Sequence, residues 1–251
     1  MTGQTLNAVQ LYPREMNIYG DNGNLEVLAL RARLYGIDLA IAEYEPGDDP
    51  ARLAAADILL GGGGQDSGQA RIAADLASQA ARLRDLVADG VAGLMVCGMY
   101  QLFGRQLRLV DGSRIAGAGV YRLTTVAGPQ RLIGNIAIVT ELGPVVGYEN
   151  HAGLTTLDSG QVPFGQVTAG AGNNGRDGTE GARTGNCFGT YLHGPILPKN
   201  PRLADELLRL ALARRDGSAV LTPRDQAARD QLDRLDDLAG RASAVARQRP
   251  R

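Results

Sequence analysis

A chain of 251 residues with two cysteines and two histidines has few places to keep a nucleophile and a base. Cys97 directly follows an apolar run, residues 91–96 (VAGLMV), and precedes Gly98 and a helical pattern (MYQLFG). A cysteine at a strand-to-helix turn faces the positive end of the helix dipole, which favours its thiolate. The backbone N–H of Gly98 points into the same space and can hold an oxyanion, while the missing side chain lets a substrate approach. The chemistry of that pattern is attack on a carbonyl carbon through a tetrahedral intermediate. The competing reading is a packed cysteine closing a core strand, and Cys187, inside a strand-like segment, is read that way.

Four consecutive glycines, residues 61–64, end another apolar run. Such a run costs backbone entropy and makes sense where amide groups must face a ligand; otherwise it is a loose turn into the next helix. Gln65 follows it, so the lysine that a phosphate-binding loop requires is absent. His193 stands in GTYLHGPILPKNP and His151 in YENHAG, both read as strand ends. Either could be the base, and either could be a hydrogen-bonded structural histidine. Four scattered Cys and His residues make a structural zinc site improbable, so no metal site is expected.

These positions need elements to hold them. Residues 6–11, 37–43, 57–60 and 91–96 read as strands. Residues 24–35, 51–56 and 69–89 read as helices between them, an alternation that predicts a parallel, doubly wound sheet. Sites in such sheets form at the carboxyl ends of the strands, where Cys97 and the glycine run both lie. From about residue 107 strand-like pieces crowd together, at 131–140, 144–149 and 187–192. The Gly/Asn/Thr-rich stretch 169–185 reads as a mobile loop. Amphipathic helices are predicted over 201–214 and 222–248. One domain is expected over residues 1–251, with its core at about 7–214.

Composition narrows the partners. The formal net charge is −1, aromatic residues are 4% and there is no Trp, so neither a phosphate-binding surface nor base-stacking platforms for nucleic acid are indicated. No run of about 18 apolar residues is present, so no membrane insertion is expected. The N-terminal segment lacks the pattern of a secretory signal, and two cysteines suit a reducing, cytoplasmic setting.

Cys97 with Gly98 and Gln101 behind it, and the glycine run upstream, resemble the nucleophile region of class I (triad) glutamine amidotransferases. The Tyr-Leu-His-Gly of residues 191–194 resembles the base motif of their cobyric acid synthase-like branch. The segments LYPREMNIYGDNGN, VVGYENHAG and GTYLHGPILPKNP resemble the glutaminase subunits of lipid II isoglutaminyl synthases. The likeness runs from about residue 7 to about residue 214.

It implies a flavodoxin-like α/β fold, with a mostly parallel central sheet flanked by helices and antiparallel additions in the second half. It also implies a glutaminase that hydrolyses L-glutamine and passes ammonia to a Mur-ligase-like synthetase subunit in a heterodimer. No cofactor belongs to this chain; ATP and Mg²⁺ belong to the partner, which amidates the α-carboxylate of D-glutamate in lipid II. Cys97 is then the nucleophile, His193 the base, Arg131 the group that holds substrate glutamine, and Gly63 and Gly98 the oxyanion donors. Pro195 stands where triad relatives keep an acid two residues after the histidine, and the resemblance implies an Asp supplied by the partner instead. Met99 replaces a small residue and could narrow the pocket. The rivals are a glutaminase for another, cobyrinate-type synthetase, a non-catalytic regulatory module of the same fold, and a cysteine hydrolase for a different amide.

Overall fold

The structure is a computed structural model that describes residues 4–217 and 220–249. The first half alternates as its apolar pattern dictates: β1 (Gln4–Leu11), α1 (Asn22–Leu34), β2 (Ile37–Tyr44), the single turn α2 (Ala51–Ala54), β3 (Ile58–Gly61), α3 (Asp66–Ala88), β4 (Ala92–Val96) and α4 (Gly98–Leu102). β3 (ILLG) and β4 (AGLMV) are buried along their whole length, as strands covered on both faces must be. The second half adds β5 (Gln106–Arg108), β6 (Arg114–Ala116), β7 (Leu123–Thr140), β8 (Gly143–Leu157), β9 (Gly165–Ala169), β10 (Thr179–Glu180), β11 (Ala182–Thr184) and β12 (Cys187–Thr190). α5 (Pro201–Asp216) and α6 (Gln226–Gln248) follow.

The strands form two sheets. The first has the order β11-β12-β4-β3-β1-β2 and is parallel except for β11. The strand order reverses at β1, so the loops after β1 and β3 flank a crevice at the carboxyl edge, the usual place for a ligand. The second sheet has the order β10-β9-β7-β5-β6, with β8 on β7 in a long antiparallel hairpin. One buried apolar cluster contains residues of both sheets, among them Leu60, Met95, Ile136 and Val145. A backbone bridge between Tyr148 and His193 also joins them.

Three departures from the sequence pattern bear on the site. β7 starts at Leu123 rather than near residue 131, carrying Pro129 through a register shift between Ala127 and Leu132. β8 runs on to Leu157, so His151 lies inside a strand and not at its end. Residues 169–185, read as a loop, supply β10 and β11 and the buried Asn173 and Glu180. Asn173 exchanges hydrogen bonds with Gly181, a local closure that glycine-rich composition conceals.

Candidate active site

β4 delivers Cys97 to the carboxyl edge of the first sheet, and α4 leaves from it at once. Cys97 has φ 49°, one of two non-glycine residues with positive φ among those described. A side chain held there is strained, and strain of this kind gathers at functional sites. The turn leaves Cys97 6% exposed, facing a cavity of about 510 Å³ also lined by Tyr19, Gly64, Gln69, Gln101, Arg131 and Asn150. Gly98 is required by space as well: a Cβ there would meet Met16 Cε at 2.8 Å and the Gly64 amide nitrogen at 2.9 Å. As the first residue of α4, Gly98 has an N–H with no intrahelical acceptor.

His193 comes from the exit of β12. Its backbone exchanges hydrogen bonds with Tyr148, and the buried Glu180 carboxylate accepts from Thr190 Oγ1 and from the Tyr191 N–H. Burial pushes the Glu180 carboxyl up to about 8. His193 is 1% exposed. Burial alone would lower its pKa, but the Cys97 thiolate and the Asp21 carboxylate outweigh that and hold the imidazole up to about 10. The arrangement therefore favours the protonated form of the His193 ring.

Asp21 is a site residue that the sequence pattern did not single out. The resemblance implies an orienting acid from a partner subunit; within this chain, Asp21 Oδ1 stands 3.5 Å from His193 Nδ1. That contact is longer than a good hydrogen bond, but neither atom has another hydrogen-bond partner among the described residues. The other oxygen of Asp21 is anchored, accepting the Gly63 N–H at 2.7 Å. Asp21 lies in the loop between β1 and α1, 172 positions before His193, so inspection near the histidine could not find it. The nearby acids are engaged elsewhere: Asp205 with Arg31 and Tyr35, Glu206 with Arg209. Pro195 packs on α1 instead, its Cγ 2.6 Å from where a Cβ on Gly23 would lie.

The same bond corrects the role expected of Gly63. An amide proton already given to a carboxylate is not open to an oxyanion. Gly64, not Gly63, lines the cavity with Cys97. Met99 does not narrow that cavity: it is wholly buried and packs under Gly61, where an added Cβ would lie 2.3 Å from its Cγ.

Arg131 sits at the register shift of the β7–β8 hairpin and reaches the cavity wall. Its Nε donates to Asn150 Oδ1 at 2.9 Å, and one Nη donates to the Asn150 carbonyl and to Tyr19 Oη. His151 lines the same cavity from β8, held by one ring nitrogen and by stacking. Its Nδ1 pairs with the Gly153 carbonyl at 2.8 Å and its ring stacks on Tyr191 at 3.5 Å. Cys187 is fully buried against Tyr121 Oη, and burial pushes its thiol up to about 12, so it is an inert core residue.

Comparison with known proteins gives the family. The CobB/CobQ-like glutamine amidotransferase domain matches residues 7–201. The chain belongs to that family. The lipid II isoglutaminyl synthase (glutamine-hydrolyzing) subunit GatD of Staphylococcus aureus is 38% identical over 202 residues, 80% of this chain and 82% of that protein. The subunit of the same name from Streptococcus pneumoniae is 38% identical over 221 residues, 87% of this chain and 85% of that one. The cobyric acid synthase of Nocardia farcinica is 32% identical over 80% of this chain but only 42% of its own length. Among solved structures, a glutamine amidotransferase superposes with a TM-score of 0.57 at 17% identity, covering 81% of this chain and 98% of its own. PurLQS from Thermotoga maritima gives 0.56 at 11% identity, covering 82% and 98%. These two carry the fold alone, a class I amidotransferase α/β sandwich. No helix among the described residues is long and apolar enough to cross a membrane.

Proposed function

We propose that the chain is the glutaminase subunit of a lipid II isoglutaminyl synthase, acting from the cytoplasm. The observation that carries the chemistry is the strained Cys97 beside a buried His193 whose outer nitrogen faces Asp21. The Cys97 thiolate attacks the δ-carboxamide carbon of L-glutamine held by Arg131, a guanidinium suited to a carboxylate. The amides of Gly98 and Gly64 hold the tetrahedral oxyanion. His193 Nε2 gives its proton to the departing nitrogen, which leaves as ammonia, and a γ-glutamyl thioester remains. A water then attacks the thioester carbon, His193 takes the water's proton, and the Cys97 thiolate leaves as glutamate forms. Asp21 fixes the ring and steadies its positive charge throughout.

The acceptor rests on coverage. The chain spans most of each GatD subunit but less than half of the cobyric acid synthase. That favours a separate subunit serving a Mur-ligase-like partner over a cobyrinate-type assembly. ATP and Mg²⁺ act on that partner, which activates the D-glutamate α-carboxylate, and this chain needs no cofactor. The test reconstitutes the two subunits on lipid II. Cys97→Ser should abolish glutamine-dependent amidation while ammonium still supports it, and Cys187→Ser should stay within a few-fold of wild type. Loss of the ammonium reaction in Cys97→Ser, or activity with glutamine, would sink the assignment.

A further inference from the structure

One side chain touches both halves of the site. Tyr19 lies in the loop between β1 and α1, two residues before Asp21. Its ring packs on that of His193, centroids 4.5 Å apart and tilted by 56°. Its hydroxyl accepts from an Nη of Arg131 at 3.2 Å. The loop is pinned to the glycine run on both sides of Tyr19, by the Ile18 N–H donating to the Gly63 carbonyl and by Asp21 accepting from the Gly63 N–H. Tyr19 itself is 36% exposed and lines the cavity, whereas the histidine beneath it is almost wholly covered.

The hydrogen bonds of Arg131 define what Tyr19 can do there. A guanidinium has five N–H donors. One on Nε goes to Asn150 Oδ1, and two on Nη2 go to the Asn150 carbonyl and to Tyr19 Oη. The two on Nη1 have no partner among the described residues. Tyr19 therefore does not compete with an incoming carboxylate for those donors. It completes the set of bonds that holds the guanidinium still and leaves one edge for the ligand.

We infer that Tyr19 is a positioning residue that couples the substrate clamp to the base: its hydroxyl preorganises Arg131 for the glutamine carboxylate, and its ring closes over His193. The inference rests on Arg131 being the clamp, as the proposed function has it. The two parts of the side chain act on different steps. The hydroxyl affects binding, and losing a neutral hydrogen bond of this kind weakens affinity roughly 2- to 10-fold. The ring keeps water from the His193–Asp21 pair, so its loss affects turnover.

The experiment measures calorimetric binding of L-glutamine to the full-length Cys97→Ser chain, alone and with Tyr19→Phe, Arg131→Ala, or both. Tyr19→Phe should weaken binding, Arg131→Ala should weaken it more, and the double variant should match Arg131→Ala within about twofold, because the hydroxyl acts only through the guanidinium. Equal fold-losses from Tyr19→Phe in both backgrounds, or none in either, overturn the inference while leaving the clamp in place. An unchanged Kd in Arg131→Ala removes the clamp itself, and Tyr19's role with it. With Cys97 intact, Tyr19→Phe should raise KM and hold kcat, whereas Tyr19→Ala should lower kcat and shift the His193 ring-proton resonances, which two histidines leave easy to assign. A Tyr19→Ala chain with wild-type kcat and unshifted resonances overturns the part assigned to the ring.

Discussion

At the residue scale the site is an ionic balance in a nearly dry place. His193 stands between Cys97 and Asp21 with its pKa held up to about 10. An ordinary histidine titrates near 6.5. Because the folded value lies above the unfolded one, the charged ring stabilises the fold. That contribution is full below about pH 6.5 and is lost as pH rises through about 10. Asp21→Asn removes one of the two anions responsible. It should lower kcat by on the order of 10²-fold, since the ring loses its orienter. Its cost in stability should be largest while the ring is charged and should shrink as pH passes 10, which chemical unfolding of both chains at pH 7 and above 10 would show. A pH-independent difference would separate Asp21 from the charge on His193. Cys97 was legible in the sequence because an apolar strand, a glycine and a helical pattern meet around it. Asp21 was not, because its place opposite His193 is made by two loops of distant sequence.

At the scale of elements, the β7–β8 hairpin does what short-range patterns could not announce. Pro129 and Gly128 interrupt the strand signal, and the register shift they sit in is what turns Arg131 towards the cavity. Arg131→Ala should raise the KM for glutamine roughly 10- to 150-fold, the worth of a charge-assisted contact, and leave ammonium-driven synthesis intact. Steady-state kinetics with each nitrogen donor checks this, and an unchanged KM would move the carboxylate site elsewhere. The βα repeat of the first half was readable because fully buried strands such as ILLG and AGLMV stand out between amphipathic helices. The second half was harder, since its strands are half exposed or two to five residues long, and their partners lie far off in sequence. His151, in YENHAG, reads as a strand end from sequence alone. Its neighbours are in fact strand residues paired with β7, and the buried Glu149 carboxylate accepts from the backbone N–H groups of Ala171 and Gly172.

At the scale of the whole molecule, the C-terminal helix is tied to the site-bearing half through α1. Leu34, Ala228 and Leu232 form a small apolar cluster, and the buried Arg31 of α1 bonds to Asp205 on α5 and Asp236 on α6. Asp225 caps α6 by accepting the Ala228 N–H at 2.7 Å. Removing one member of a fully buried ion pair costs about 3–5 kcal/mol. Asp236 is 47% exposed and Asp205 26%, so solvent screens both. Arg31→Leu should therefore destabilise the chain by only about 1–3 kcal/mol, read as a lower Tm with KM for glutamine unchanged. An altered KM would mean that this clamp reaches the site.

The central claim is that one chain carries nucleophile, base and orienting acid together. Glutamate release from L-glutamine by the purified chain, with no partner present, tests it most directly. Measurable turnover is predicted for wild type and for His151→Ala, and none for Cys97→Ser or His193→Ala. A wild-type chain that is silent alone and hydrolyses glutamine only when a synthetase subunit is added, or a His193→Ala chain that retains activity, would contradict it.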